Sequence, residues 1–194
     1  MKNQTILIVS VAVIIFLTYS FIYLDFQFAT SSTQANSQVS TYKSDSPTPD
    51  INGKIYLYIQ PDSALEKKIL TDLTSKLENK GAQVEITESI ASKFDAQAIL
   101  IAVQNKSISY NPIFPRASIK LILFYTYNGN TTYFEELVRG EVPVVAFFTT
   151  NMIIEGSIEL VDSTNGVISM VAYRKHLAAN LADETFKKLP WGET

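Results

Sequence analysis

The feature of the sequence that most constrains the fold is a long apolar stretch near the N-terminus, from Ile6 to Leu24. It contains no charged residue, no glycine and no proline. As a helix it would extend about 30 Å, the thickness of the hydrocarbon core of a lipid bilayer. All its faces would be apolar, whereas a helix on the surface of a globular protein normally keeps one polar face. We therefore expect residues 1–24 to form a short stub and a single transmembrane helix.

Charges on either side of this stretch predict its direction in the membrane. Lys2 and the α-amino group precede it, and no Lys or Arg follows it before Lys43. Because cytoplasmic flanks carry the excess of Lys and Arg, we expect a single-pass protein of the cell membrane with a cytoplasmic N-terminus and an extracytoplasmic C-terminal domain. A cleaved signal peptide is the alternative. Its apolar region is usually shorter, and Thr33-Gln34-Ala35 is a mediocre cleavage site.

Residues 25–52 differ sharply in composition from the apolar stretch. They are rich in Ser, Thr, Gln and Asn, and two prolines lie near their end, at Pro47 and Pro49. Such a composition buries too little apolar surface to offset the entropy lost on ordering. We therefore expect a flexible tether over residues 25–52, long enough to let the domain stand away from the membrane, and one folded domain over residues 53–194.

Local patterns within residues 53–194 predict a mixture of strands and helices. Strands are predicted at 54–60, 82–87, 98–103, 118–127, 143–149, 153–161 and 167–172, and helices at 63–80, 133–138 and 173–189. The first long helix has the clearest signals, because Ser63 and Glu66 have the spacing of a capping box and Gly81 follows its end. Residues 105–116 contain two prolines and are expected to be largely loop, and residues 162–166 a tight turn. The predicted fold class is α/β (α+β), with a twisted mixed sheet of about five or six strands and two main helices.

The segment 156–168 has a pattern of strand, Asp, turn, Gly and strand. It resembles a hairpin of exported envelope proteins, whose domain is similar to the anticodon-binding-like α/β domain of periplasmic assembly lipoproteins and secretion-associated factors. The approach to a buried strand over residues 95–100 and the helix that ends near Pro190 fit the same pattern. This resemblance implies a non-catalytic assembly or recognition module, with no catalytic residues to carry over. The chain departs from that family in having no lipid-bearing cysteine and no Trp after the predicted turn at Gly166.

Composition excludes several kinds of site. The chain has no cysteine and one histidine, so it can form neither a disulfide nor a cysteine-based or multi-histidine metal site. His176 lies beside Arg174 and Lys175 on the closing helix and is expected to be solvated. The formal net charge of −3 gives no basic balance for nucleic acid. We expect no catalytic residues, no cofactor and no metal.

Other short motifs carry less information. The adjacent carboxylates Glu135-Glu136 and Asp183-Glu184 are expected to be solvated, since neighbours on a helix point about 100° apart. Asn105 and Asn130 begin glycosylation sequons on the predicted outer side.

One loop offers residues suited to recognition. Tyr110, Ile113, Phe114 and Arg116 lie around Pro112 and Pro115, which stiffen the backbone. Exposed aromatic side chains and Arg commonly anchor protein interfaces, so these four residues form a predicted partner-binding loop. In the alternative interpretation, Ile113 and Phe114 fold back to cap the core.

These observations predict a membrane-anchored, non-enzymatic domain that recognises or scaffolds a partner protein of the cell envelope. The alternative function is an exported small-ligand-binding or sensor domain associated with a transporter or receptor. A hydrolase is the third hypothesis and the least supported, because no Gly-x-Ser-x-Gly elbow accompanies the single histidine.

Overall fold

The computed structural model describes residues 2–44, 48–60, 62–141 and 152–192. Within these ranges the chain forms four helices and six strands. In chain order they are α1 (Lys2–Tyr23), β1 (Gln27–Lys43), β2 (Lys54–Ile59), α2 (Ala64–Asn79), β3 (Gln83–Ile86), β4 (Gln97–Ser109), β5 (Arg116–Thr126), α3 (Phe134–Val138), β6 (Met152–Ile168) and α4 (Met170–Lys187). The predicted fold class is confirmed, and the apolar N-terminal segment forms a helix that could span a membrane. The strand predicted at 143–149 lies outside the described residues.

The described strands make one mixed sheet in the order β1-β6-β5-β4-β2-β3. The β2–β3 and β2–β4 pairs are parallel, and the other neighbours are antiparallel. Helices α2 and α4 pack on one face, where they bury alternate side chains of the central strands, such as Ile101, Leu121 and Leu160. A smaller cluster around Phe124 and Phe134 lies on the other face, beneath α3.

Helix α2 forms as its sequence signals predict. The Ser63 hydroxyl accepts a hydrogen bond from the Leu65 N–H, and the Glu66 carboxylate accepts one from Ser63 and one from Lys106 on β4. The stripe of Leu65, Ile69, Leu73 and Leu77 is fully buried. Each such side chain contributes about 1.5–3 kcal/mol by leaving water.

The prediction of a flexible tether is wrong for most of residues 25–52. Residues 27–43 form the 17-residue strand β1, which pairs with β6 along its whole length, from Gln27 opposite Ile168 to Lys43 opposite Met152. Strand β1 buries few large apolar groups, so composition gave no sign of it. It is held by the hydrogen-bond ladder and by polar pairs such as Ser31 with Thr164, whose hydroxyls are 2.6 Å apart.

The predicted turn at 162–166 is also wrong, because β6 runs unbroken from Met152 to Ile168. The segment on which the resemblance rests is therefore one strand and not a hairpin. Both edges of this segment are occupied: Asp162 pairs with Thr33 on one side and Ala117 on the other. With partners on both sides, residues that otherwise favour a turn remain extended.

Strand β4 continues six residues beyond its predicted end, from Val103 to Ser109. Residues 105–109, expected to be loop, pair with residues 116–120 of β5 after a bulge between Val103 and Asn105. The two prolines lie beyond this extension, so they end the strand without interrupting its ladder.

Candidate functional site

The candidate site is the junction at which α1 meets the sheet. Among the described residues, one helix is long and apolar enough to cross a membrane, over Ile6–Tyr23. Its large apolar side chains from Ile6 to Leu17 are exposed, whereas Phe21 and Ile22 near its end are half-buried against the domain. Between the end of α1 at Tyr23 and the start of β1 at Gln27 there are only Leu24, Asp25 and Phe26. The domain is therefore tied closely to the end of the helix.

Ser169, between β6 and α4, is hydrogen-bonded to this connection. Its backbone N–H donates to the Phe26 carbonyl at 3.0 Å, and its hydroxyl accepts from the Phe26 N–H at 3.2 Å. The same hydroxyl accepts from the Ala172 N–H at 3.1 Å and so caps α4. Sequence analysis missed Ser169 because a strand was predicted through residue 172. A serine four residues before the predicted helical pattern, which begins at Tyr173, was the available signal.

Tyr110 forms a second tie between the sheet and α1. Its hydroxyl lies 2.9 Å from the carbonyl oxygen of Ile168 and 3.2 Å from that of Phe21, so both carbonyls compete for the one phenolic proton. Burial raises the pKa of the Tyr110 phenol above its ordinary value. Tyr110 also lines a cavity of about 370 Å³ between α1 and the domain, with Phe21, Pro112 and Met170. Its polar end is thus occupied within the chain.

The proline-containing segment is fixed against β6. The carbonyls of Pro112, Ile113 and Pro115 accept hydrogen bonds of 2.9–3.0 Å from Ile168, Gly166 and Thr164 respectively. The Asn111 side chain accepts from the Ile113 N–H at 2.9 Å and so tightens the turn. These bonds hold the segment as an extension of β5 along its neighbour.

The four predicted partner-binding residues do not form one surface. Ile113 and Phe114 are 47% and 57% exposed, and Arg116 is exposed, whereas Tyr110 is half-buried against α1. The alternative interpretation, in which Ile113 and Phe114 cap the core, is wrong. Partner binding by the exposed members stays a prediction.

Near the junction, β1, β6 and α4 meet at a buried carboxylate. Asp162 is 1% exposed, and its Oδ1 accepts from the Thr33 hydroxyl at 2.6 Å. The other oxygen accepts from the Thr164 hydroxyl at 3.0 Å. The Nε2 of His176 lies 2.9 Å from Oδ1. Burial alone would raise the pKa of Asp162, but the hydrogen bonds, led by that from His176, outweigh it and lower the pKa.

The expectation that His176 is solvated is wrong, because its side chain is only 20% exposed and contacts Asp162. Position 176 falls on the helix face next to Tyr173, and it therefore points towards β6. The Asn180 amide nitrogen lies 3.3 Å from His176 Nδ1 and donates to the His176 carbonyl oxygen at 2.8 Å, which holds the other side of the ring.

This geometry differs from that of a hydrolytic triad. In a triad the two imidazole nitrogens face the carboxylate and the nucleophile separately. Here Nε2 faces both Asp162 and the Thr33 hydroxyl, at 2.9 and 3.1 Å, and Nδ1 faces Asn180. The arrangement ties three elements together and gives Thr33 no separate base.

The remaining sequence candidates lie on the surface. Asp183 forms an ion pair with Lys76 of α2, and Glu184 pairs with Lys187 at 2.6 Å. Asn105 is exposed on β4, and the Asn130 side chain accepts from the Thr132 N–H at 3.1 Å. Across the described part of the chain, no group of three His, Cys, Asp or Glu residues could hold a metal ion.

A separate apolar cavity of about 270 Å³ lies on the face of the sheet that carries α3. Apolar and aromatic side chains dominate its lining, which consists of Tyr58, Gln60, Ile90, Ala102, Phe134, Glu135, Val138 and Arg139. Arg139 and Glu135 supply charged groups, so the cavity has the mixed lining that small-molecule sites require.

Comparisons with known proteins show no family. No family model matches the chain. No curated protein matches it either. Two solved structures of PelC dodecamers from Paraburkholderia phytofirmans, one of them a point variant, cover 74% and 77% of this chain and 94% and 98% of theirs. Their sequence identities are 10% and 13%, and their TM-scores of 0.32 and 0.36 are too low to support any functional inference. The resemblance to the anticodon-binding-like domain stays a prediction.

Proposed function

We propose that the chain is a single-span membrane protein whose α/β domain is held close to the extracytoplasmic surface, where it recognises or scaffolds an envelope protein without catalysing a reaction. The observation that carries this proposal is the close connection of two features. An exposed apolar helix of bilayer length is joined through three residues to a strand of 17 residues at the edge of the sheet.

Strand β1 supplies the surface for recognition. Only β6 pairs with it among the described residues, so its outer edge presents backbone N–H and C=O groups to solvent. Such an edge accepts an extended segment of another protein by strand addition. In the middle of β1 the exposed side chains of Gln34, Asn36 and Gln38 are polar and uncharged, and they do not repel an added strand.

Orientation rests on the distribution of charge. Lys2 is the first residue of α1 and precedes its apolar part, while the residues that follow α1 include no Lys or Arg before Lys43. The positive-inside rule therefore favours export of the domain. An exported domain without cysteine relies on its core alone, and α2 and α4 with the sheet provide that core.

The anchor is tested with the full chain in its own membranes. We expect the protein to stay in the membrane fraction after washing at alkaline pH. Because the chain has no cysteine, a single cysteine at Asn3 or Gln34 gives a clean report of sidedness. A membrane-impermeant maleimide should label Gln34→Cys in intact cells and should label Asn3→Cys only after lysis. Release by the alkaline wash would contradict the anchor, and the reverse labelling pattern would contradict the orientation.

Strand addition is tested by photocrosslinking from β1 and by introducing lysine residues on β1. A photoreactive amino acid at Gln34 or Gln38 should capture a discrete partner. Ser32→Lys with Ser40→Lys should abolish the capture, since lysine on an edge strand opposes pairing. The matched control places the same charges on exposed positions of α2, Thr71→Lys with Ser75→Lys, and should leave capture unchanged. Equal capture by both variants would reject β1 as the surface.

The second candidate, an exported small-ligand-binding or sensor domain, is favoured by the apolar cavity beside α3. Its volume of about 270 Å³ suits a small apolar or aromatic solute. Ala102→Leu would fill the cavity from the sheet side. A solute that raises the melting temperature of the unmodified chain but not of this variant would favour this function. If solutes stabilise both chains equally, the cavity is not the site.

A further inference from the structure

Four apolar side chains are exposed together at the end of the sheet nearest α1. They are Phe28, Ile113, Phe114 and Val167, exposed by 79%, 47%, 57% and 37%, and we refer to them as the base rim. Phe28 lies directly opposite Val167 in the β1–β6 register. The Ile113 carbonyl accepts from the Gly166 N–H, so the proline segment reaches the same point on β6. In the described part of the chain, more than a third of each of these residues stays exposed.

The base rim is continuous with the apolar helix. Phe28 follows Tyr23, the last residue of α1, by five positions, a path of at most about 18 Å. The Tyr110 hydroxyl approaches the Phe21 carbonyl from the sheet side, which places the start of the proline segment against the last turn of α1. The rings of Tyr19 and Tyr23 pack near that end in a tilted arrangement, with 4.8 Å between their centroids. Aromatic rings gather at the level of lipid headgroups.

Basic side chains surround the same end of the domain. Arg116 begins β5 two residues after Phe114, and it is exposed. Arg174 and Lys175 are exposed in the first turns of α4, next to the Ser169 cap, and Lys175 pairs with Asp25. An apolar rim bordered by cations matches the chemistry of the bilayer interface, where acyl chains meet phosphate groups.

We propose that the base rim inserts into the interfacial layer of the bilayer that α1 spans, with Arg116 and Arg174 against lipid phosphates. This inference rests on the proposed membrane anchor. It identifies the exposed members of the proline segment as a lipid contact, which leaves the edge of β1 for protein recognition. Insertion holds the domain by two points, the helix and the rim, and so fixes its tilt on the membrane.

The test uses the full chain in vesicles of phosphatidylcholine and phosphatidylglycerol. The absence of cysteine allows spin labels at single introduced cysteines, Phe28→Cys and Phe114→Cys. Power-saturation spectroscopy then compares collisions with oxygen, which partitions into lipid, and with a water-soluble nickel chelate. We expect both labels to collide preferentially with oxygen.

Two further labels make the result decisive. Tyr42→Cys lies on the same face of β1, about 45 Å further along the strand, and should collide preferentially with the nickel chelate. Leu17→Cys lies within α1 and reports the anchor itself. If the label at 17 is in lipid while those at 28 and 114 behave like the label at 42, the proposal is overturned and the anchor stands. If the label at 17 is in water, both the lipid contact of the base rim and the membrane anchor are contradicted.

A protein contact at the base rim would give another result. Labels at 28 and 114 would then be shielded from oxygen and from the nickel chelate alike, and this outcome would overturn lipid insertion. An independent reading comes from Phe114→Trp in vesicles of brominated lipid. We expect at least a twofold greater quenching of emission than in the unmodified chain, whose Trp191 packs against Tyr125. Equal quenching in the two chains would also reject the proposal.

Discussion

The buried side chain of Asp162 links β1, β6 and α4. Its carboxylate is buried and accepts hydrogen bonds from Thr33, Thr164 and His176, which lie on three different elements. Charge-assisted bonds of this kind contribute more than neutral ones, and losing a partner leaves a buried group unsatisfied. The side chain therefore couples the position of β1 to that of α4.

We expect Asp162→Asn to lower the free energy of unfolding by about 2 kcal/mol at pH 7. The folded-state pKa of Asp162 lies below its ordinary value of 3.8, so the carboxylate stabilises the fold above that pH and the effect is lost as pH falls through the lowered pKa. Denaturant unfolding at pH 7 and at pH 3 measures both effects, and the difference between the two chains should shrink in acid. Ser163→Ala, at the neighbouring exposed position, should change neither the free energy of unfolding at pH 7 nor its dependence on pH. A constant difference at both pH values would contradict this assignment.

Glu155 is predicted to behave in the opposite way. It is 7% exposed, its Oε2 has no hydrogen-bond partner among the described residues, and burial raises its pKa. A carboxyl group with a raised folded-state pKa destabilises the fold once it ionises. Glu155→Gln should therefore raise the melting temperature at pH 8, with the gain vanishing towards pH 4. Glu159→Gln, on the same face but exposed, is the control and should have no effect. A lower melting temperature for Glu155→Gln would show that the charged form is needed.

At the scale of elements, β1 and β6 depend on each other. Gly166 lies where the two backbones approach closely, with φ of +116°, and an added Cβ would lie 2.6 Å from the Phe28 carbonyl oxygen. We expect Gly166→Ala to cost about 1–3 kcal/mol through the strained backbone, and to separate the first part of β1 from β6. Hydrogen exchange should then quicken at Phe28 and Thr30 in particular, because their amides point towards β6 in this register. Asn165→Ala should leave this exchange unchanged, and unaltered protection in Gly166→Ala would contradict the close approach.

Sequence patterns correctly predicted the helices and strands whose stabilising contacts lie close together along the chain. The β2–α2–β3 unit was predictable because its cap, its apolar stripe and its strand alternation lie within about 30 residues of sequence. Strand β1 was not predictable in this way, since its stability comes from β6, more than a hundred residues away. The interpretation of residues 162–166 as a turn failed for the same reason, because their partners are remote.

The candidate site likewise combines features that were readable from the sequence with features that depend on residues far away in the chain. The apolar character of α1 was readable directly from the sequence, and the exposure of Phe114 was one of two stated alternatives. The buried position of His176 could not be foreseen, because it depends on Asp162 being part of a strand. The capping role of Ser169 was not predicted, because a strand was predicted over residues 167–172.

The role of β1 leads to a prediction on truncation. A chain that begins at Ile51 lacks β1, so β6 becomes the edge and Asp162 loses the Thr33 hydroxyl. We expect it to unfold at a lower denaturant concentration than a chain that begins at Asp25, and to aggregate through the exposed edge. Urea unfolding and size-exclusion chromatography compare the two. Equal stability would restore the tether interpretation.

At the scale of the whole molecule, the short junction decides how the domain moves relative to α1. A flexible tether of about 26 residues would let the domain move by roughly 25–30 Å relative to the end of α1. The observed connection has three residues. Ser169 is hydrogen-bonded to Phe26 within it, and Tyr110 is hydrogen-bonded to Phe21 in the last turn of α1. The helix and the sheet are therefore expected to move as one unit.

A pair of spin labels tests this coupling, at Leu17→Cys in α1 and Gln38→Cys on β1, with the full chain in lipid nanodiscs. We expect one narrow distance distribution in the otherwise unmodified chain. Tyr110→Phe removes the hydroxyl that Ile168 and Phe21 share, and it should broaden the distribution while costing only about 1 kcal/mol of stability. Tyr133→Phe, a change of the same kind next to α3, should leave the distribution narrow. A broad distribution before any change would mean that the junction does not hold the domain, and a narrow one in Tyr110→Phe would assign the coupling to Ser169 alone.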